Sequence, residues 1–432
     1  MRTTSQYERS WARCALERRR SRRRCSFKFT ACSTVFVYLL WGQSPQVYLT
    51  GVQWSRHKAT RPAYDSLPWD DTAQGHILKE RKNRIQAGVT FVTCPKGPGF
   101  METYENEVHA LRSWILLLEP QASNVVLIGG PGDDALRLIT FDLAAEARVK
   151  KRTTNVIFQQ LTYRDIVHGK DGDSGPSVRA IFTAGESAVS SGHEIFIYVN
   201  TDIIFQSNVI NIFGQVIQSF APWKQTDIVI SGSRTDCSGR KADVEASLKS
   251  DAQSVVNITQ SFKSCVSHRP TGKDYFVYHR GFWQKHGGIP DFMIGRTSWD
   301  DYLTAIANFG GLFVDASAVV VALHLEHSYH HSAYHSKDVL WKSPSAKMNR
   351  KLLKVACKKN TGAECVSRHL NESRFRACPS FMDSIIVMKA TSWVDNDDWL
   401  ELAKKHSTWP RNCEFARDVA NCPRACRLRP EQ

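Results

Sequence analysis

The sequence lacks several features that would place it in a familiar class of protein. It has no uninterrupted run of about 20 apolar residues, the length that a bilayer-spanning helix needs. It has no pair of C-x-x-C motifs, which argues against a structural zinc site, and no internal repeat, which argues against a solenoid. What remains is a chain of 432 residues with ordinary composition, long enough for one large core or for one core and a smaller module.

Clustered basic charge is also missing where a nucleic-acid interface would need it. The net charge is +15, but about half of the excess lies in residues 1–25. The rest is thinly spread along the sequence, with no basic stripe interleaved with aromatic residues. Nucleic-acid binding needs such a concentration of charge, so we expect no nucleic-acid partner.

The basic N-terminal residues precede an uncharged segment, and this order is typical of a signal anchor. The dense apolar part of that segment is about 14 residues long, which is short for a membrane span. We predict a basic cytoplasmic tail (1–28), a signal anchor (29–51) and a stem or linker (52–86). This would make a single-pass type II membrane protein facing the lumen of the Golgi or the endoplasmic reticulum. A cleaved secretory signal and an organellar transit peptide are the alternatives.

Cysteine usage points to an oxidising compartment. Six of the 12 cysteines lie in the last 80 or so residues at irregular spacing, which suits disulfides better than a metal site. Two glycosylation sequons, at Asn257 and Asn371, are compatible with a glycoprotein of the secretory pathway. We predict that 341–432 is a small Cys-rich C-terminal module. Its cysteines are Cys357, Cys365, Cys378, Cys413, Cys422 and Cys426.

Between these ends, apolar runs of strand length alternate with segments of helical period. This alternation predicts an α/β fold with a doubly wound, mostly parallel sheet and helices on both faces. Trp114 and Trp299 lie on helices with apolar faces, where core packing is the expected role. The expected strands are 88–93, 124–128, 155–158, 195–199, 227–230, 275–278, 312–315 and 319–324, and the expected helices are 104–118, 178–188, 209–217 and one capped by Ser298.

One strand ends in a pattern typical of a metal site. The apolar run Ile195–Val199 is followed by Asn200, Thr201 and Asp202. In open α/β sheets, ligands bind beyond the carboxyl ends of the strands. An acidic pair there holds a divalent cation against a diphosphate, because hard oxygen ligands suit Mg²⁺ and Mn²⁺. A strand-end Asp that caps the next helix is the alternative.

The order of several short motifs resembles that of GT-A-fold glycosyltransferase-like domains of the nucleotide-diphospho-sugar transferase superfamily. The resemblance covers about residues 88–332, so we predict a glycosyltransferase domain at 87–340, with a Rossmann-like sheet of the GT-A type. The motifs are F91-V-T-C-P-K96, L111-R-S-W114, V126-L-I-G129, Y198-V-N-T-D-I-I204, the G295-R296 to W299-D-D-Y-L303 helix start, and A322-L-H-L-E-H-S-Y-H-H331.

The resemblance implies roles for individual residues. Asp202 and a late histidine, His324 or else His327, would hold Mn²⁺ or Mg²⁺, and Asn200 replaces the first carboxylate of the usual pair. Asp300 and Asp301 are the expected catalytic residues, with Asp300 as the general base. The alternative is that both only complement the dipole at the helix start. Asp171 and Asp173 also spell D-x-D, but without a preceding strand we expect solvated turn chemistry there. The residues expected at the donor are Thr93, Pro95, Asn200, Arg234, Asp236 and Arg296, although a structural ion pair between Arg234 and Asp236 is equally expected.

The resemblance implies transfer of a sugar from a nucleotide-sugar donor to a glycan, protein or lipid acceptor. Asn200 keeps a non-catalytic glycan-binding or scaffolding pseudoenzyme of the same fold open as an alternative, because fold alone does not establish activity. A nucleotidyltransferase fits less well. It would need a Gly-rich basic loop directly after the first strand, and here that strand leads into C94-P-K-G-P-G99.

Overall fold

The computed structural model describes residues 88–96, 101–170, 172–192, 194–220, 227–237, 266–268, 272–325, 337–361, 375–379 and 385–389. The predicted tail (1–28), anchor (29–51) and stem (52–86), both sequons and His327 lie outside these residues. Within them, no helix combines the length and the apolar character that crossing a bilayer would require.

Two sheets and a hairpin account for the strands in the described part of the chain. The large sheet has nine strands and a smaller sheet has four, and one antiparallel pair lies apart. In chain order the strands are β1 (Val89–Thr93), β2 (Asn124–Gly129), β3 (Asn155–Gln160), β4 (Ile166–His168), β5 (Ser174–Pro176), β6 (Ile195–Val199), β7 (Ile203–Phe205), β8 (Ile228–Ser233), β9 (Thr235–Cys237), β10 (Val266–Ser267), β11 (Lys273–His279), β12 (Leu312–Asp315), β13 (Ala322–Leu325), β14 (Phe375–Pro379) and β15 (Ile385–Lys389).

The large sheet is mixed but mostly parallel, which confirms the predicted α/β class. Its strand order is β15-β14-β12-β8-β11-β6-β1-β2-β3. β11 runs antiparallel to both of its neighbours and β15 to β14, while the other pairs in this sheet are parallel. The direction of β11 could not be read from its apolar pattern. The antiparallel direction of β11 follows from how the chain enters it. The chain comes back from the small sheet at the end of β8, so β11 starts where β8 ends.

Helices cover both faces of this sheet, as the doubly wound pattern predicts. The residues of each strand alternate between two buried clusters. Phe91 and Ile197 pack on one face with Trp114, and Val92, Phe196 and Tyr198 pack on the other with Phe182 and Trp299. The helices are α1 (Met101–Leu116), α2 (Asp134–Val149), α3 (Val178–Ser187), α4 (Val209–Gln218), α5 (Phe282–Lys285), α6 (Trp299–Gly310), α7 (Lys337–Lys342) and α8 (Pro344–Thr361).

Both tryptophans singled out in the sequence belong to this core. Trp114 is fully buried, stacks on Phe91 with ring centroids 5.6 Å apart and donates its indole N–H to the Ile203 carbonyl at 2.8 Å. Trp299 meets Tyr198 edge to face at 5.5 Å. Burying a side chain of this size stabilises the fold by roughly 2–3 kcal/mol, so their role is packing.

The described residues past 340 that form α8 and β14 contribute to the same layers as the rest. α8 packs against α6, and β14 extends the large sheet beyond β12. Cys357, buried on α8, is disulfide-bonded. The sequence predicted neither α8 nor the strand pair β14–β15, and the Cys-rich module at 341–432 stays a prediction.

One predicted helix cap is wrong. Ser298 precedes α6, but its side chain makes no capping hydrogen bond and its backbone is left-handed, with φ 86°. A serine caps a helix from an extended backbone conformation. The predicted start of the helix after Ser298, with Asp300 and Asp301 in its first turn, is confirmed, and the predicted capping role of Ser298 is not.

Candidate active site

Most of the candidate site residues predicted from the sequence lie at the carboxyl ends of strands in the large sheet. Val92 on β1 pairs with Tyr198 on β6, and Val199 pairs with Tyr275 on β11. Lys273, at the start of β11, pairs with Ser233 at the end of β8. The carboxyl ends of β1, β6 and β8 therefore meet the beginning of β11, and the polar residues that follow each strand face one another there.

The small sheet brings three distant residues together at this edge. Its order is β10-β9-β13-β7. On β13, His324 pairs in register with Asp236 on β9 and with Ile203 on β7. Asp202 lies just before β7, and its backbone carbonyl accepts a hydrogen bond from Leu325. Three short strands, rather than the large sheet, thus place Asp202, Asp236 and His324 side by side.

His324 is held between two carboxylates. Its Nδ1 lies 2.9 Å from Asp236 Oδ1, and its Nε2 lies 3.5 Å from Asp202 Oδ2. Burial opposes charge on the imidazole, but the carboxylates of Asp202 and Asp236 outweigh it and raise the pKa of His324 to about 9. At neutral pH this imidazole is protonated in the metal-free protein.

Asp236 contacts several charged or titratable groups around His324. Its Oδ2 lies 2.6 Å from His268 Nδ1, and its Oδ1 accepts from Arg234 Nε at 2.8 Å. Burial would raise the pKa of Asp236, but hydrogen bonds with His268 and His324 and the charge of Arg234 hold it well below its usual range. The ion pair between Arg234 and Asp236 that the sequence left open is present.

A titration of His324 follows from this arrangement. Its pKa is raised in the folded state, so the stability it contributes is fully present below pH about 6.5 and is lost as pH rises toward about 9. In EDTA, we expect the free energy of unfolding to fall by up to about 3 kcal/mol across this range. In the His324→Gln variant, the free energy of unfolding measured in urea should lose most of this decrease with pH. This holds whatever the stability of the variant at low pH.

The matched control for this titration is His168→Gln, because His168 is exposed on β4. This variant should keep the pH dependence of the wild type. An unchanged slope in His324→Gln would show that His324 does not titrate between the two carboxylates.

Asn200, the residue that replaces the first carboxylate of the expected pair, is bound to its neighbours. Its Nδ2 donates to Asp274 Oδ1 at 2.6 Å, and its Oδ1 accepts from the Tyr198 hydroxyl at 3.2 Å. Asp274 in turn accepts from Arg234 at 3.0 and 3.2 Å. Both polar ends of the Asn200 amide are therefore engaged in holding the edge of the sheet.

Asp300 and Asp301 meet a buried lysine at the start of α6. Lys273 Nζ lies 3.0 Å from Asp301 Oδ1 and 3.9 Å from Asp300 Oδ2, and the lysine side chain is fully buried. Burial raises the pKa of Asp300 to about 6, with Lys273 opposing the rise and Asp301 adding to it. The sequence treated the two aspartates alike, whereas the structure gives Asp301 the closer lysine contact and Asp300 the raised pKa.

Tyr198 connects the two acidic groups. Its ring is buried beneath the site, and burial, followed by the charges of Cys94, Asp274, Asp202 and Asp300, raises the pKa of its hydroxyl well above the usual value. The charge of Asp274 also reaches Asp300. The charges of Asp202, Asp274 and Asp300 therefore all act on one hydroxyl group, so the expected metal ligand and the expected base share one electrostatic environment.

Two of the remaining predicted residues lie at the end of β1. Thr93 and Thr201 share a hydrogen bond between their hydroxyls at 2.9 Å, which ties β1 to the turn that carries Asp202. Pro95 is buried two residues beyond Thr93. Between them Cys94 is a free cysteine, and burial raises the pKa of its thiol to about 12, so it is not a nucleophile at neutral pH.

Arg296 makes its described contacts on another part of the molecule. Its guanidinium pairs with Asp173 and also contacts Ser345 Oγ at 3.0 Å. Asp173 also accepts from Ser345 at 2.8 Å. The expectation of a solvated turn at Asp173 was therefore wrong, because this carboxylate joins the β4–β5 hairpin to the segments before α6 and at the start of α8.

Three residues of the site were missed in the sequence: His268, Lys273 and Asp274. His268 follows the two-residue strand β10, and Lys273 and Asp274 are the first two residues of β11. A lysine and an aspartate directly before the apolar run Y275-F-V-Y278 were the only available signal.

The donor atoms present suit a divalent cation held by few protein ligands. Among the described residues, no group of three or more His, Cys, Asp or Glu side chains is placed to hold a metal ion. Asp202 and His324 offer two ligand atoms 3.5 Å apart, close enough to share one ion at bond lengths of about 2.0–2.2 Å. Mg²⁺ is commonly bound through one or two carboxylates, with water and substrate phosphates completing its shell. The pair therefore fits such an ion once His324 loses its proton.

No protein-family model and no curated protein matches this sequence. Among solved structures, the chain is similar to the crystal structure of GalNAc-T7 with UDP, GalNAc and Mn²⁺. The TM-score is 0.36 and the sequence identity 11%, and the match covers 62% of this chain and 48% of that chain. The chain thus spans about half the length of that protein.

It is also similar to the crystal structure of 4-diphosphocytidyl-2C-methyl-D-erythritol synthase from Anaerococcus prevotii DSM 20548. Here the TM-score is 0.28 and the identity 9%, and the match covers 61% of this chain and 99% of that chain. At these identities the similarity concerns the fold alone.

Proposed function

We propose that this protein transfers a sugar from a nucleotide-sugar donor to a hydroxyl of a glycan, protein or lipid acceptor, with a divalent cation at Asp202 and His324. One observation carries the proposal. At the carboxyl ends of a mostly parallel sheet, the Asp202 carboxylate of an acid–imidazole pair and a separate carboxylate, Asp300, whose pKa is about 6, both act electrostatically on the Tyr198 hydroxyl. A glycosyl transfer assisted by a metal ion needs these two functions next to each other.

Asp202 and His324 would hold the cation, and when bound it would neutralise the charge of the departing diphosphate. Asp236 would position His324 by holding Nδ1, which leaves Nε2 directed toward Asp202. Arg234 links Asp236 to Asp274, and Asp274 fixes the amide of Asn200. These contacts would keep Asp202 and His324 oriented before a substrate binds.

Asp300 would act as the general base. As the acceptor oxygen bonds to the anomeric carbon and the bond from that carbon to the diphosphate breaks, the hydroxyl proton passes to the Asp300 carboxylate. A pKa of about 6 leaves this carboxylate mostly ionised at neutral pH and more basic than an exposed aspartate. This role belongs to an inverting transfer.

The membrane anchor and the luminal location stay predictions. The disulfide at Cys357 supports an oxidising compartment such as the lumen of the secretory pathway. The limits of the predicted catalytic domain, 87–340, likewise stay a prediction.

The direct test is donor hydrolysis by the full-length protein. Many transferases slowly hydrolyse their donor without an acceptor, so a panel of UDP- and GDP-sugars with and without Mn²⁺ should reveal metal-dependent turnover of one donor. Asp202→Ala should lower this turnover by about 10²-fold or more, because the carboxylate ligand is lost.

The matched control is Asp142→Ala, which removes an exposed carboxylate from α2 and should leave turnover unchanged. Both variants should keep the circular dichroism spectrum of the wild type. Full activity in Asp202→Ala would contradict the proposed metal site.

A non-catalytic binding protein of the same fold is the second candidate. Two observations favour it: the Asn200 amide is engaged by Asp274 and Tyr198, and His324 already forms an ion pair with Asp202 and Asp236 without a metal ion. No turnover of any donor, together with no thermal shift on adding UDP or GDP with Mn²⁺, would favour this candidate.

A further inference from the structure

One face of α8 carries a row of exposed lysines, which we call the lysine stripe: Lys347, Lys351, Lys354 and Lys358. At 3.6 residues per turn, these four positions lie within about 60° of one another around the helix. They extend over about 16 Å along its axis. The opposite face, with Ala346, Leu353 and Cys357 among its residues, is buried against the fold.

The charge of this face is of one sign. α8 contains no Asp or Glu, and its two other cations are Arg350 and Lys359. In the part of the chain that the structure describes, none of the four stripe lysines forms an ion pair. The basic charge outside the N-terminal tail is thinly spread along the sequence, but the helix gathers part of it on one face of α8. The spacing K-x₃-K-x₂-K-x₃-K becomes a stripe once the segment is a helix.

The form of the stripe favours a linear polyanion as its partner. A straight row of point charges matches acidic groups that repeat along an extended polymer. A membrane surface fits less well, because α8 buries most of its apolar residues against the protein and leaves Val355 as its one exposed large apolar residue, too little to enter a bilayer.

Recognition of nucleic-acid bases also fits less well. The stripe lysines offer no rigid bidentate fork of the kind that arginine uses to recognise bases. No aromatic residue occurs within α8 on which a base could stack.

We propose that the lysine stripe of α8 is a docking surface for a linear sulfated polysaccharide. The surface is distinct from the acidic site, since α8 packs against α6 through its other face and Asn349 accepts a hydrogen bond from the backbone of Met293. The proposal does not rest on the proposed function, because docking requires no catalysis.

The test compares two variants of the full-length chain. In the first, all four stripe lysines become glutamine, which has a similar helix propensity and keeps the helix intact. In the control, four exposed cations on other elements, Arg137, Arg148, Arg164 and Lys170, become glutamine. Both changes remove the same charge, and the basic N-terminal residues are present throughout. Binding to a heparin-derived oligosaccharide is measured by calorimetry over a range of salt concentrations.

We expect the stripe variant to bind heparin at least about tenfold more weakly than the control, with a smaller dependence of log affinity on log salt. Equal binding by the two variants would overturn the proposal. It would also be overturned if the stripe substitutions weakened binding to an oligonucleotide, or to phosphatidylcholine vesicles containing phosphatidylserine, more than binding to heparin.

Discussion

Replacing Asp300 by asparagine is expected to lower the turnover of the transfer reaction by about 10²–10⁴-fold, the usual contribution of a general base. The wild type should gain activity as pH rises through about 6, because Asp300 must lose its proton before it can accept one. Asp300→Asn should lack this rise and keep a low, flat activity. The measurement is the dependence of kcat/KM on pH with the donor identified in the hydrolysis panel.

Asp301→Asn is the matched control, because it removes the neighbouring carboxylate from the same helical turn. The charge of Asp301 raises the pKa of Asp300, and Lys273 lowers it. Without Asp301, Lys273 faces Asp300 alone, so the midpoint of the activity rise should move to lower pH while activity at neutral pH is largely kept. Equal losses in both variants, or a midpoint that persists in Asp300→Asn, would show that Asp300 is not the base.

Replacing Asp236 by asparagine is expected to cost about 1–3 kcal/mol of the free energy of unfolding at neutral pH. Asp236 is partly buried and faces His268, His324 and Arg234. An amide has no charge with which to balance them, although Arg234 keeps Asp274 and His324 keeps Asp202 as ion-pair partners. Urea unfolding in EDTA measures the loss, and Asp142→Asn on the exposed face of α2 is the control, with an expected change within about 0.5 kcal/mol.

The stability difference between the wild type and Asp236→Asn is expected to change with pH in one direction. The pKa of Asp236 is depressed in the folded protein, so the stability it contributes is present above pH about 3.9 and is lost as pH falls below that value. The difference between wild type and Asp236→Asn should therefore shrink in acid. A difference that is constant down to low pH would mean that the carboxylate charge is not what holds these residues together.

Elements dominated by local pattern were predictable. The strands at Val89–Thr93 and Ile195–Val199 and the helices at Met101–Leu116 and Val209–Gln218 follow from runs of apolar residues and from helical period, since the residues themselves show which face is buried. The pattern failed where short elements depend on partners elsewhere in the chain. β9 and β10 have three and two residues, too few for any period. β14 and β15 are ordered as strands by pairing with β12 and with each other.

The candidate site divides in the same way. Asp202 and Asp300 were recognisable because each follows a local signal, the end of a buried strand or the start of a helix. His324 was found from the resemblance alone. Asp274, His268 and Lys273 gave almost no local signal, because their roles arise from contacts with Asn200, Asp236 and the two aspartates of α6.

Local patterns along the chain were enough to specify the α/β alternation, the strand-end carboxylate at Asp202 and the acidic helix start at Asp300, because periodicity and strand ends are local properties. The folded chain adds that His324 lies between Asp202 and Asp236, that Asn200 is bound to Asp274, and that Lys273 contacts two carboxylates. Pairing of short strands and burial of charge depend on residues far apart in the chain, and it is this pairing and burial that place the pKa of His324 at about 9 and that of Asp300 at about 6.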